Sequence, residues 1–345
     1  MAAFNPGEYD EFEVTRVKAD RSDVEASGGN YSYAVAWEEM NAARRSTMED
    51  VHRIVPKLKG SPEYSYFGVY DGHGGRQIVD YLDTRLEDNI SKELREMDDA
   101  SILERMRRAF LITDMESRQE DITSSGATVV SALLVTKEGQ EQNTKKRVLY
   151  VANAGDSRAV LLYKMKDGSK VPETKASAQQ QIDAVRAEEE KSHMNHAADD
   201  SSDSAESDEL PPDCGFIAER LSFDHRVDDD GEQDRIKKAG GFFTRNRVLG
   251  ILAVTRSFGD HGMKAFVCAD PHLVEIDLSE RDEVPLLILA CDGVWDVLTD
   301  QEAGNIVMDE YNRIGGPYED AAQLLVSRAI ERGSADNVSA IVVFL

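Results

Sequence analysis

The stretch FGVYDGHGG, residues 67–75, is where the reading of this chain turns. Four residues of strand character run straight into an acid, a histidine and three glycines. Asp71-Gly72 has two readings. Aspartate bonds its own backbone and glycine accepts φ > 0, so the pair makes a turn and Gly74-Gly75 opens the next helix. Equally, a carboxylate fixed at a strand end beside an uncovered glycine carbonyl is a ligand pair for a hard cation.

Outward from that stretch the pattern is globular. YSYAVAW (31–37) and EYSYFGVY (63–70) read as strands, while GRQIVDYLDTRLEDNISKELREM (75–97) has helical spacing at Ile78, Tyr81, Leu82 and Leu86. A second helix is expected over 101–117. ATVVSALLV, RVLYVANA and RAVLLY follow as short strands between turn signals, the habit of antiparallel sheets and sandwiches rather than of βαβ units. Helices are expected near 229–239, 301–312 and 318–331, with strands at PLLILAC (285–291) and VSAIVVFL (338–345). Residues 1–30 read as a loose polar tail and 31–345 as one domain. Within it, about 166–212 reads as a disordered acidic insertion, because DDSSDSAESDELPP lacks the apolar content to offset its ordering entropy. Ser202, Ser204 and Ser207 in that run suit an acid-preferring kinase.

Composition narrows the function classes. The 345 residues are 41% hydrophobic, enough for a large core, and carry a net charge of −26. That charge argues against nucleic acid and anionic membrane as partners, both of which call for Lys/Arg patches. Cys214, Cys268 and Cys291 are scattered and odd in number, so no disulfide framework or zinc motif is expected, and a reducing compartment fits. The opening residues lack an apolar signal region, and no apolar run is long enough to cross a bilayer. A cytoplasmic or nuclear monomer is the expectation.

The acids gather where strands meet loops. Asp292-Gly293 follows an apolar run just as Asp71-Gly72 does, Asp336-Asn337 precedes the last strand, Glu49-Asp50 heads another, and Asp156 falls in what reads as a hairpin loop. Each alone is an ordinary turn residue. Together, without matching lysines, they would repel one another on one rim of a sandwich unless cations neutralised them, and oxygen donors of this kind suit Mg²⁺ or Mn²⁺.

Eight blocks, in order, resemble the metal-dependent Ser/Thr protein phosphatases of the protein phosphatase 2C type: RSTMED (45–50), VYDGHGG (69–75), SGATVV (125–130), NAGDSRAVL (153–161), RIKKAGG (235–241), RVLGILAVTRSFGD (247–260), ACDGVWDV (290–297) and SADNVSAIVVF (334–344). The resemblance implies an α+β fold, a central sandwich of two antiparallel β-sheets flanked by α-helices on both faces. It implies two Mg²⁺ or Mn²⁺ ions: Asp71 bridges them, Glu49 and the Gly72 carbonyl complete one, and Asp292 and Asp336 complete the other. Asp50, Thr128 and Asn337 correspond to groups that orient bound waters, and Asp156, with Asp292 and Asp296, to a weaker third ion site. A water bridging the ions is the implied nucleophile, Arg45 the phosphate holder and His73 the general acid, with phosphorylated proteins as substrates.

Other residues carry less. Cysteine phosphatase chemistry is not expected, and Cys291 reads as core. His225 stands in a block usually written Asp-His-Lys-Pro, but Arg226 and Val227 replace its last two residues. His225 is read as structural, Arg256 as a brace for the flap and Asp260 as fixing a turn. The ending DNVSAIVVFL is most similar to fungal members that damp stress-activated MAP kinase pathways. Two alternatives remain open: an inactive relative serving as a scaffold, or a two-metal hydrolase of another phosphoester.

Overall fold

The computed structural model describes residues 17–18, 31–138, 145–164, 179–180, 183 and 215–345. Of the expected tail only Val17–Lys18 falls among these. The expected insertion, apart from Gln179, Gln180 and Asp183, lies outside them, as do Ser202, Ser204, Ser207 and Cys214.

Two all-antiparallel sheets form the body. The first contains β1 (Val17–Lys18), β2 (Tyr33–Glu39), β7 (Arg158–Lys164), β8 (Ile217–Arg220), β13 (Asp282–Ala290) and β14 (Val338–Phe344), in the order β1-β2-β14-β13-β7-β8. The second contains β3 (Asp50–Val55), β4 (Tyr64–His73), β5 (Gly126–Glu138), β6 (Lys145–Ala154) and β12 (His272–Asp277), ordered β12-β6-β5-β4-β3, with β11 (Phe258–Gly259) also paired to β5. Both sheets are covered twice, which is why their central strands read as unbroken apolar runs rather than alternating ones. In β13, Leu287 and Leu289 face the other sheet, where they join Phe67, Val69, Val130 and Leu149. Leu286 and Ile288 face outward against α5 (Asp300–Ile314) and α6 (Ala321–Glu331).

On the opposite side, Tyr66, Tyr70 and Leu133 pack against α1 (Gln77–Arg95) and α2 (Ile102–Ser117), through Ile78, Leu82, Leu86 and Phe110. The sandwich with helices on both faces is therefore the architecture. Side-chain caps set the starts of two of these helices: Ser101 accepts from the Glu104 amide, and Thr299 and Glu302 form a reciprocal capping box. A small separate cluster of Val227, Ile236, Val248 and Val267 holds together a flap built on α3 (Asp230–Lys238) and the hairpin β9 (Phe243–Thr244) and β10 (Arg247–Val248).

Three local expectations need correction. Asp71-Gly72 is not a turn, because β4 runs on through His73, with Asp71 paired to Asp50 and Thr128 across the two neighbouring strands. Asp292-Gly293 is not its equivalent: β13 stops at Ala290, Cys291 is buried one residue beyond, and Asp292 opens the short helix α4 (Asp292–Trp295). Asp156 does not sit in a hairpin, since β6 and β7 belong to different sheets and the connection carrying it crosses the sandwich. Strands buried on both faces carry no mark of which sheet they join.

Candidate active site

One rim of the sandwich collects the acids. Asp71 ends up there because β4 outruns its apolar stretch by three residues, and pairing places its carboxylate strand directly opposite Asp50. Like charges facing across a strand pair destabilise a sheet, so this register points to something other than packing. Asp336 and Asn337 lie before β14 and Asp292 after β13, adjacent strands that run in opposite senses, which brings both to the same end.

Electrostatics confirm that the acids share one environment. Burial, then Asp292, Asp50, Asp156 and Asp336, raise the Asp71 carboxyl well above the usual range. Asp292 is raised by burial and then by Asp156, Asp296 and Asp336. Asp50 is pushed up to about 7 by burial, against a 2.6 Å hydrogen bond from Ser339 Oγ. This all-oxygen set, with the Gly72 carbonyl beside it, has the chemistry of a hard divalent-cation site. Among the described residues, however, no three acidic, histidine or cysteine side chains are gathered closely enough to ligate one ion. Two arginines instead occupy three of the acids: Arg45 bonds Asp336, and Arg226 bonds Asp156 and Asp296.

The remaining site residues have specific partners. Arg45, half exposed, is turned onto Asp336 and the Ala335 carbonyl. The His73 Nε2 lies 2.8 Å from Asp260 Oδ2, and Asp260 also accepts from Ser257 Oγ at 2.5 Å. Asp260 is thus more than a turn residue, although it does occupy the left-handed region at φ 46°. Gly126 makes the contact possible: a Cβ there would fall 2.1 Å from Asp260 Oδ2 and 2.3 Å from His73 Nε2. Gly72 is glycine for a nearer reason than an open carbonyl, since its Cβ would fall 2.4 Å from the Glu49 carbonyl oxygen.

Asn337 is expected to orient water, but its amide is committed to main chain. Its oxygen accepts from the Glu49 amide at 2.9 Å, and its nitrogen donates to Met40 and Thr47 carbonyls at 2.9 and 3.0 Å. It therefore ties the loop bearing Arg45 and Glu49 to β14. Thr128 Oγ1 is bonded to Ser157 Oγ at 2.6 Å. His225 is structural as expected: it is buried, its backbone amide donates to the Gly155 carbonyl at 3.0 Å, and it fixes the loop that carries Asp156.

Arg256 braces the flap, bonding both oxygens of Glu232 and the Asp270 carbonyl. Burial would raise the Glu232 carboxyl, but bonds from Arg256 and Arg235 outweigh it and hold it below the usual range.

The expected third cation position does not fit a cation as it stands. Arg226 Nε donates to Asp156 Oδ2 and its NH2 to Asp296 Oδ1, both at 2.8 Å. Sequence reasoning marked Arg226 only as a departure from a familiar block, and because it replaces another cation there, its charge gave no pointer to Asp156.

Comparison with known proteins accords with this geometry. A family model described as Protein phosphatase 2C matches residues 34–190 and 212–338. The chain is 31% identical over 322 residues to Protein phosphatase 2C homolog 1 of Saccharomyces cerevisiae, covering 91% of this chain and 94% of that one. It is 31% identical to the Schizosaccharomyces pombe protein of the same name, covering 89% and 72%. Among solved structures, serine-threonine phosphatase 2C from Toxoplasma gondii matches with a TM-score of 0.60 at 20% identity, over 90% of this chain and 94% of that one, a likeness of fold. With the acid rim, the His73 pair and the ordered blocks in one structure, the chain belongs to the protein phosphatase 2C family of metal-dependent serine/threonine phosphatases.

Proposed function

We propose that this phosphatase works with two divalent cations, Mg²⁺ or Mn²⁺, held by Glu49, Asp71 and the Gly72 carbonyl on one side and by Asp71, Asp292 and Asp336 on the other. The observation that carries the reading is the convergence of Asp50, Asp156, Asp292 and Asp336, from both sheets, on one rim around Asp71, whose carboxyl they all raise. Bound cations there would acidify water and draw charge from phosphoryl oxygens. The chain's own groups do the rest. Arg45, rotated off Asp336, offers a planar fork to two phosphoryl oxygens. With Nε2 held by Asp260, His73 presents Nδ1 to protonate the departing serine or threonine oxygen.

Retention of Glu49, Asp71, Asp292 and Asp336 supports an active enzyme over a scaffold. The net charge of −26 favours phosphoprotein over nucleic acid as substrate. We further propose that it acts as a monomer in cytoplasm or nucleus on a phosphorylated component of a stress-activated MAP kinase pathway. Support for this comes from the fungal likeness of DNVSAIVVFL and from the two yeast relatives. Among the described residues no helix is long and apolar enough to cross a membrane. The purified protein should hydrolyse a Ser/Thr phosphopeptide with Mg²⁺ or Mn²⁺ in the millimolar range, about the affinity of weak carboxylate sites. Full turnover after exhaustive chelation would overturn the cation reading, and unchanged phosphopeptide levels in cells lacking the protein would overturn the pathway.

A further inference from the structure

We infer that Arg226 is a built-in cation at the position corresponding to the third ion, so that this enzyme holds two divalent ions where three would otherwise be accommodated. The inference rests on the two-cation reading and concerns the carboxylates left outside it.

Arg226 lies 70 residues from both its partners along the chain, Asp156 before it and Asp296 after. Its guanidinium spans the two, with 2.8 Å contacts through different nitrogens. A planar fork meeting two separate carboxylates through different nitrogens is directional. Asp156 is 4% exposed, so its charge is removed from water and depends on a nearby cation. Arg226 supplies it through a 2.8 Å contact to Asp156 Oδ2.

Backbone also fixes the arginine. Arg226 pairs with Val254 in an antiparallel bridge, and the preceding residue, His225, clasps Gly155 beside Asp156. Donor and acceptor are thus mounted on one rigid junction. A divalent ion on Asp156 and Asp296 would compete with Arg226 for the same two carboxylates, and it would face a positive charge at contact distance. The two occupants exclude each other.

The test counts ions. Mn²⁺ bound to intact protein is titrated by electron paramagnetic resonance, for wild type, Arg226→Gln, Asp296→Asn and the double variant Asp156→Asn/Arg226→Gln. Wild type should bind two ions and Arg226→Gln three, the third tightened roughly 10- to 100-fold over any wild-type remnant, a typical coupling between competing cations. The double variant should return to two. Asp296→Asn alters an exposed side chain and should leave the wild-type stoichiometry of two ions unchanged, which keeps the test decisive if Arg226→Gln folds poorly. Three ions in wild type, or loss of one on Asp296→Asn, would overturn the inference while leaving the two-cation reading intact. No bound ion in any variant would overturn both.

Discussion

At the scale of the residue, the site depends on a few long-range pairs, and these separate roles cleanly. Asp71→Asn removes the carboxylate on which Asp292, Asp50, Asp156 and Asp336 all act and should abolish both Mn²⁺ binding, read by calorimetry, and turnover. His73→Gln should leave Mn²⁺ affinity nearly intact and slow turnover about 10²- to 10⁴-fold, the span of general acid catalysis. The loss should shrink for aryl phosphates, whose leaving group needs no proton; equal losses on aryl and alkyl substrates would refute the acid assignment. Gly126→Ala offers an indirect check. Its methyl group must part His73 from Asp260, so it should reproduce the leaving-group dependence of His73→Gln without touching a proton-bearing atom. The acids were legible in the sequence because carboxylates beside apolar runs stand out. The pairs His73–Asp260 and Arg226–Asp156 were not, since partners 187 and 70 residues apart leave no periodic trace.

At the scale of the element, periodicity and caps located the pieces well. The helix expected over 101–117 is Ile102–Ser117 with Ser101 as its cap, and that over 229–239 is Asp230–Lys238 capped by Asp229. The helix expected over 318–331 begins three residues later, at Ala321. What failed was the assignment of β6 and β7 to one hairpin, because both are apolar on each face. The acidic stretch also has firmer edges than expected. Gln180 bonds the Ala218 carbonyl and the Arg220 amide, Gln179 bonds Asp224 main chain, and Asp183 pairs with Arg220 at 2.6 Å. The family match likewise runs to residue 190 and resumes at 212. Deleting residues 191–211 should therefore leave the melting temperature within a degree or two, since closing a surface loop of this length changes little. Deleting 166–212 should lower it by several degrees more, because β8 then loses these partners. Equal melting temperatures for the two deletions would show the Gln179–Asp183 contacts to be inconsequential.

At the scale of the whole molecule, the rim sets how stability responds to pH. Asp50, Asp71, Asp156 and Asp292 all have folded pKa values above their unfolded ones. The folded state then holds more protons than the unfolded chain, so stability falls as pH rises from the ordinary carboxylate range through the raised values, about 7 for Asp50. Protein stripped of cations should melt several degrees higher at about pH 5.5 than at about pH 8, and Mn²⁺ should narrow the gap by neutralising the ionised acids. A gap that Mn²⁺ leaves unchanged would place its source elsewhere. One further consequence follows from the place of β14, which lies between β2 and β13 in the middle of its sheet although it is formed by residues 338–344. A ribosome that has translated as far as residue 337 holds Arg45, His73 and every acid of the rim, yet the nascent chain still lacks the strand that joins β2 to the rest of its sheet. Activity must therefore appear abruptly, only once β14 has been made, and a stop codon just ahead of β14 should be as silencing as one near the start.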